Sequence, residues 1–181
     1  MSQPSETFKA KLKTKSLSWF GSTLPETYWL ISDLFILTSY LAHKGKCYFA
    51  KRQYKEAYEN FARACHDKTF ASSDTYFWAA RTLELAQGDT PQVLALLDSC
   101  IAHIPQNSGA QFAQYYLERS QRLLRAQQYR EAVKDYNTYE QLVGPRNLNE
   151  RFYYLRAQAE EKARMYQQAL DDYNSAITQS K

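Results

Sequence analysis

The side chains of this 181-residue chain with a capacity for chemistry are three histidines, three cysteines and two pairs of adjacent carboxylates. His43, His66 and His103 could ligate a metal or move a proton near neutral pH. No H-E-x-x-H or other histidine pair at metal-ligand spacing joins them, and no carboxylate is placed with them. They are expected as surface or inter-helix histidines. Cys47, Cys65 and Cys100 are scattered, and none forms a C-x-x-C pair. Each falls on an apolar helical position and is expected as a small buried hydrophobe, which suits a reducing compartment. Glu160-Glu161 and Asp171-Asp172 could supply an acid and a base. Adjacent residues of a helix point in different directions, so each pair is expected on solvated faces. No G-x-S-x-G, P-loop or G-x-G-x-x-G occurs. The sequence therefore predicts no catalytic residue, no metal site, no cofactor and no enzymatic activity.

Composition narrows the partners. Hydrophobic residues make up 44% and charged residues 23%, ordinary for a globular domain. Five glycines and five prolines are few breakers, favouring long helices over many short strands. The net charge is +4, and Lys9, Lys11, Lys13 and Lys15 account for much of it. The near-balanced remainder lacks the basic stripe that a nucleic-acid binder carries. No apolar run of signal-peptide length follows the basic start. The most apolar stretch, Tyr28 to Ala42, is interrupted by Ser32, Asp33, Thr38 and Ser39 and falls short of the ~20 residues a membrane helix needs. Neither nucleic acid nor membrane is predicted as a partner, and the expected location is cytoplasmic.

What must position any working surface is a phrase that recurs. It runs Tyr54-Lys-Glu-Ala57-Tyr-Glu-Asn-Phe61-Ala-Arg-Ala64, returns from Tyr129 through Ala132 and Tyr136 to Tyr139, and returns again from Tyr166 through Ala169 and Tyr173 to Ala176. Upstream of Ala57 stand Leu41, Gly45 and Tyr48. The physical logic is two antiparallel helices crossing closely. Gly45 and Ala57 are small where backbones approach, and Tyr48 and Phe61 fill the wedge between them. The third unit carries Tyr116, Ser120 and Leu123 ahead of Ala132, and the fourth Tyr153 and Ala157 ahead of Ala169, with Glu160 where an aromatic is usual. The second is degenerate: Val93 replaces the anchor alanine, and Arg81 and Glu84 occupy the small and aromatic sites.

This spacing resembles the tetratricopeptide repeat (TPR), apart from Lys44 where that signature has leucine. The anchors Ala57, Val93, Ala132 and Ala169 lie 36, 39 and 37 positions apart, against a usual repeat of ~34. The extra residues are expected in loops at Asp67–Ser73, Pro105–Gly109 and Gly144–Asn149, with helix starts at Ser72/Ser73, Asp89-Thr90-Pro91 and Asn149. Thr23-Leu-Pro-Glu26 has capping-box spacing and predicts either one long helix to Lys51 or a short helix running into the first repeat. The fold class expected is all-α, a right-handed α-solenoid of about four TPR-like helix–turn–helix units with an N-terminal helical extension. Residues 1–22 are expected as a basic, flexible tail on which Leu17, Trp19 and Phe20 could dock inward. Residues 23–181 are expected as the repeat domain, with units near 38–70, 74–107, 113–146 and 150–181.

The resemblance implies a non-catalytic scaffold or adaptor whose first helices line a concave groove for a peptide segment of a protein partner. In that register the groove receives Lys46 and Phe49, with His43 and Ala50, from the first unit. Trp78 and Thr82 come from the second, with Thr75 and Leu85. Gln114, Leu117, Gln121 and Arg125 come from the third, and Tyr154 and Gln158, with Arg151 and Glu161, from the fourth. Trp78 stands out as a hot-spot candidate and equally as a core residue. One subclass of the family grips chaperone C-termini with a Lys and an Asn in its first repeat and basic residues in its third. Ala42, Lys46, Gln114 and Glu118 stand at those positions, so that clamp is absent. The alternative function is a structural module or a piece of a longer array. The stripe Tyr166, Ala169, Leu170, Tyr173, Ala176, Ile177 on the last helix has no capping helix after it and could bury against another copy.

Overall fold

The structure, a computed structural model, describes residues 26–106 and 109–179, with side chains described from Asp33 onward. The basic tail, the Thr23 capping box, and Leu17, Trp19 and Phe20 lie outside the described residues. Among the described residues eight α-helices follow one another: α1 Glu26–Ala50, α2 Tyr54–Ala64, α3 Ser73–Leu85, α4 Thr90–Ala102, α5 Ala113–Arg125, α6 Tyr129–Val143, α7 Glu150–Lys162 and α8 Tyr166–Gln179. There is no strand among the described residues. The expected helix starts carry working caps. Ser72 accepts the Thr75 N–H at 3.2 Å, Asp89 accepts that of Gln92 at 3.1 Å, and Asn149 accepts that of Phe152 at 2.9 Å. Short 3-10 turns at Ala110–Phe112 and Pro145–Asn147 take up part of the extra loop length.

The chain divides into two compact units after Leu37. In the first, the described residues belong to the N-terminal half of the continuous helix α1, where Leu34, Phe35, Ile36 and Leu37 are all exposed. In the second, Thr38–Lys181, consecutive helices pair as hairpins: the C-terminal half of α1 with α2, then α3/α4, α5/α6 and α7/α8. Each hairpin turns in the same way. One residue adopts positive φ, Arg52, Gln87, Gln127 or Arg164, and the next N–H reaches back five residues. Gln53 bonds the Tyr48 carbonyl, Gly88 that of Leu83, Gln128 that of Leu123 and Met165 that of Glu160. No glycine occupies the left-handed position in any of the four. Gly88 is needed for space instead: a Cβ there would lie 2.3 Å from Leu83.

The anchor positions are the core. Ala57, Phe61, Ala64, Ala132, Tyr136 and Ala157 are completely buried, and Val93 is nearly so. A Cβ on Gly45 would meet the Phe61 ring at 2.9 Å, so the glycine is small because that ring lies on it.

Two hairpins also carry a buried ionic tie that the sequence reading missed. In the third, Arg119 forks onto Asp135 with bonds of 2.7 and 2.8 Å. In the fourth, Arg156 forks onto Asp172 at 2.5 and 2.9 Å and also bonds Glu140 and Asn137. Each arginine directly precedes the small site, and each aspartate lies three residues past the anchor alanine. The matching pairs are Lys44 and Asn60 in the first hairpin and Ala79 and Leu96 in the second.

Asp172 and Glu160, expected on solvated faces, are buried (7% and 4% exposed): the Arg156 fork draws Asp172 inward, and Glu160 stands at the wedge site between the helices. Cys47, expected buried, is exposed, since helix α2 packs against the Gly45 and Tyr48 face of α1; Cys100 is buried and Cys65 half-buried. The last helix splits its stripe. Ala169 faces inward, while Tyr166, Leu170 and Ile177 are exposed.

Candidate peptide-binding face

The first helices of the hairpins bring three of the expected groove residues, Lys46, Phe49 and Trp78, into one aromatic and charged cluster. Asp74, in the first turn of α3, organises it. One carboxylate oxygen accepts the Trp78 indole N–H at 3.1 Å, and the other accepts Lys46 Nζ at 2.7 Å. Lys46 Nζ also sits 5.5 Å from the indole centroid. Phe49 meets the indole edge-on, with centroids 5.0 Å apart, and Phe61 stacks parallel to it at 6.4 Å. The indole is half-buried. It is therefore both core and surface: one side is packed, its N–H is taken, and the rest is presented. Arg81, one turn along α3, is exposed and holds its guanidinium 6.0 Å from the Phe49 centroid and 5.8 Å from that of Trp78.

Beyond Arg81 the strip continues through Glu84. Arg122 bonds its carboxylate at 2.5 Å and Arg125 at 3.1 Å, which ties α5 to α3 across the hairpin boundary. Arg122 also pairs with Glu118 in its own helix, and Glu118 accepts from Gln114 at 3.1 Å. Leu117 and Gln121 line a cleft of about 210 Å³ shared with Tyr139, Leu148 and Phe152. That is below the ~300 Å³ of a small-molecule pocket and sized for a side chain. Tyr154 is exposed and lies 6.0 Å from the Tyr173 ring; Gln158 is half-buried.

Thr82, expected on the groove, is a correction. It is completely buried with its hydroxyl unpartnered among the described residues, because α3 turns this position into the hairpin; Thr75 is buried too. The residues that sequence reasoning did not place on the face are Asp74, Arg81 and Glu84. The signal was present for two of them: the alignment on Val93 set the charged Arg81 and Glu84 at the small and aromatic sites, which the turn bond to Leu83 gives instead to the buried Ala80 and Leu83.

The histidines and cysteines form no catalytic or metal-binding group among the described residues. His43 Nδ1 lies 2.8 Å from the carbonyl of Ser39 in its own helix, and His103 contacts the Ser99 and Lys68 carbonyls. Burial pushes the Cys65 and Cys100 thiols up to about 12, which keeps them protonated. Among the described residues no three His, Cys, Asp or Glu side chains are grouped so as to hold a metal ion, and no helix is long and apolar enough to cross a membrane.

No protein-family model matches the sequence, and no curated protein matches it. Solved structures do match in fold. One crystal structure of MamA superposes with a TM-score of 0.63 at 18% identity, covering 83% of this chain and 76% of that one. Another superposes at 0.62 with 16% identity, covering 79% and 78%. MamA from Desulfovibrio magneticus RS-1 gives 0.62 at 12% identity, covering 78% and 74%. At such identities the likeness is one of fold, and the fold it shows is an all-α, TPR-like solenoid of helical hairpins.

Proposed function

We propose that this chain is a non-catalytic scaffold of the TPR class that holds a peptide segment of a protein partner on the first-helix face of its hairpins. The observation that carries the reading is the half-buried Trp78, locked by Asp74 and Phe49 yet still presented beside Lys46 and Arg81. A rigid aromatic with its N–H already satisfied offers apolar area at little entropic cost, the property of an interface anchor. Phe49, Gln114, Leu117, Gln121, Arg125, Tyr154 and Gln158 extend the surface along it. The first helices run from 38 onward, with repeat units near 38–70, 74–107, 113–146 and 150–181. The half-buried and buried thiols suit a reducing, cytoplasmic setting. Affinity capture with the wild type and with Trp78→Ala plus Tyr154→Ala tests the assignment. Loss of a partner in the double variant supports it, and equal recovery of every partner removes it.

A second reading is favoured by the outward Tyr166 (62% exposed) and Leu170 (57% exposed) of α8. Such an apolar row on the outer side of a solenoid helix is a surface another copy would cover. Sedimentation velocity over a concentration series decides it: a concentration-dependent shift abolished by Leu170→Glu supports self-association, and a strict monomer argues against it.

A further inference from the structure

Along the face just described, cations outnumber carboxylates. Lys46 is matched by Asp74, Arg122 by Glu84 and Glu118, and Arg125 shares Glu84. Arg81 has no carboxylate among the described residues, although Glu84 stands only one turn along the same helix. Glu84 is turned away from it by the two α5 arginines. What Arg81 does have is a bed. Its guanidinium lies over Phe49 and Trp78, themselves fixed by Asp74 and Phe61.

A guanidinium held against aromatic rings keeps its edge N–H donors free for a planar anion, and its orientation is already restricted before anything binds. Surface arginines without partners are common, and most simply point into water. Arg81 differs in lying on two rings at the junction of the first two hairpins, one residue past the buried small site Ala80.

We propose that Arg81 is a carboxylate-reading position, and that the partner segment is acidic, with an Asp or Glu side chain forked on Arg81 next to an apolar side chain seated on Phe49 and Trp78. This rests on the peptide-face reading above and names the chemistry of its ligand. The wider strip supports the sign. Arg125 keeps 68% of its side chain exposed while sharing one carboxylate with Arg122, so a second acidic residue meets an under-neutralised arginine further along. A basic segment would meet Arg81, Lys46 and Arg125 in succession and be repelled.

The test uses the full chain and four fluorescein-labelled peptides of equal length in which Phe and Ala alternate with Asp, Ser, Lys or phosphoserine. Anisotropy titrations are run at low and high salt. The expected result is tightest binding of the Asp peptide, weakening with salt, and a roughly tenfold loss in Arg81→Ala, corresponding to one charge-assisted pair. Arg81→Lys restores only part of it, because an ammonium lacks the fork. Arg130→Ala, an exposed arginine at the start of α6, leaves it unchanged. Far-UV circular dichroism confirms that each variant is folded. Equal binding of the Asp and Ser peptides, both lost in Trp78→Ala, overturns the carboxylate assignment while keeping the peptide face. Preference for phosphoserine that depends on Arg81 overturns carboxylate in favour of phosphate. Failure of all four peptides to bind overturns both readings.

Discussion

The Arg119–Asp135 tie permits a quantitative test of how these hairpins are held. Asp135 is 4% exposed, and Arg119 is the partner that forks both its oxygens. Arg119 has a second acceptor, Asp98, at 2.8 Å, whose side chain is 65% exposed. The two ends of the pair are therefore unequal. Arg119→Ala leaves a buried carboxylate with no counter-charge and is expected to cost ~3–5 kcal/mol. Asp135→Leu leaves an arginine that can turn to Asp98 and solvent, and is expected to cost ~1–2 kcal/mol. The double variant, Arg119→Ala with Asp135→Leu, installs the apolar pair that the second hairpin already uses at Ala79 and Leu96, where Ala79 is completely buried. It is expected within ~1 kcal/mol of the wild type, because replacing a whole buried ion pair by packed apolar groups is close to neutral.

The assay is urea unfolding followed by circular dichroism, with the four proteins forming a double-mutant cycle. Two results refute the reasoning: a double variant as unstable as the sum of the singles, or an Arg119→Ala variant no worse than Asp135→Leu. pH supplies an internal check. Burial raises the Asp135 carboxyl above its ordinary 3.8, and Arg119 opposes that rise. Without Arg119 the folded state holds its proton still more tightly. As pH rises past 3.8 the unfolded state loses its proton first, so stability falls with pH. The deficit of Arg119→Ala should therefore shrink as the solution is acidified toward 3.8.

Three further outcomes follow from single positions. Burial, and then the nearby Asp172 carboxylate, push the Glu160 carboxyl from 4.5 up to about 7, with Arg156 opposing and Asp171 and Glu140 adding to the rise; its Oε2 has no partner among the described residues. Stability should fall as pH rises from 4.5 to about 7, by at most ~3 kcal/mol, and Glu160→Gln should flatten that limb in a pH series of thermal melts. Gly45→Ala drives a methyl to 2.9 Å from the Phe61 ring and should cost ~1–3 kcal/mol in chemical denaturation, with Phe61→Leu in the same chain recovering part of it. Gln127 holds φ at 61° without being glycine, so Gln127→Gly should raise the unfolding midpoint, a gain of up to ~1 kcal/mol.

The fold was legible because its determinants are local and periodic. Gly45, Ala57, Phe61, Ala132 and Ala169 must be small or aromatic for two helices to cross closely, and that requirement repeats every hairpin. The caps at Ser72, Asp89 and Asn149 were legible for the same reason: a short oxygen-bearing side chain at a helix start has one local use. The hairpin turns carried no residue signal, since Arg52, Gln87, Gln127 and Arg164 take positive φ where glycine is the usual sign. The ion ties were hidden because Asp135 and Asp172 look like solvated helix residues until an arginine sixteen positions earlier is seen to face them. Thr82 was misplaced on the surface because the register of the degenerate second unit rested on Val93 and few other matches, so no neighbouring small or aromatic site corrected the helix rotation.

That degeneracy has a physical content. In the third and fourth hairpins an arginine directly before the small site points between the helices and holds the hairpin through an aspartate. In the second, the turn bond to Leu83 sets Ala80 at the small site behind the buried Ala79, and Leu96 stands for the aspartate, so the interior is apolar, while the arginine stands one residue after that site as Arg81. The step from the residue before the small site to the residue after it is a rotation of about 200°. The same side chain that serves as internal mortar in its neighbours is thereby turned outward onto Phe49 and Trp78. Glu84 follows from the same change: Leu83 fills the wedge, and the Glu84 carboxylate beside it becomes the bridge to Arg122 and Arg125 of the next hairpin. The unit that departs furthest from the repeat thus contributes Asp74, Trp78, Arg81 and Glu84 to one surface, and its departures coincide with the chemistry presented there.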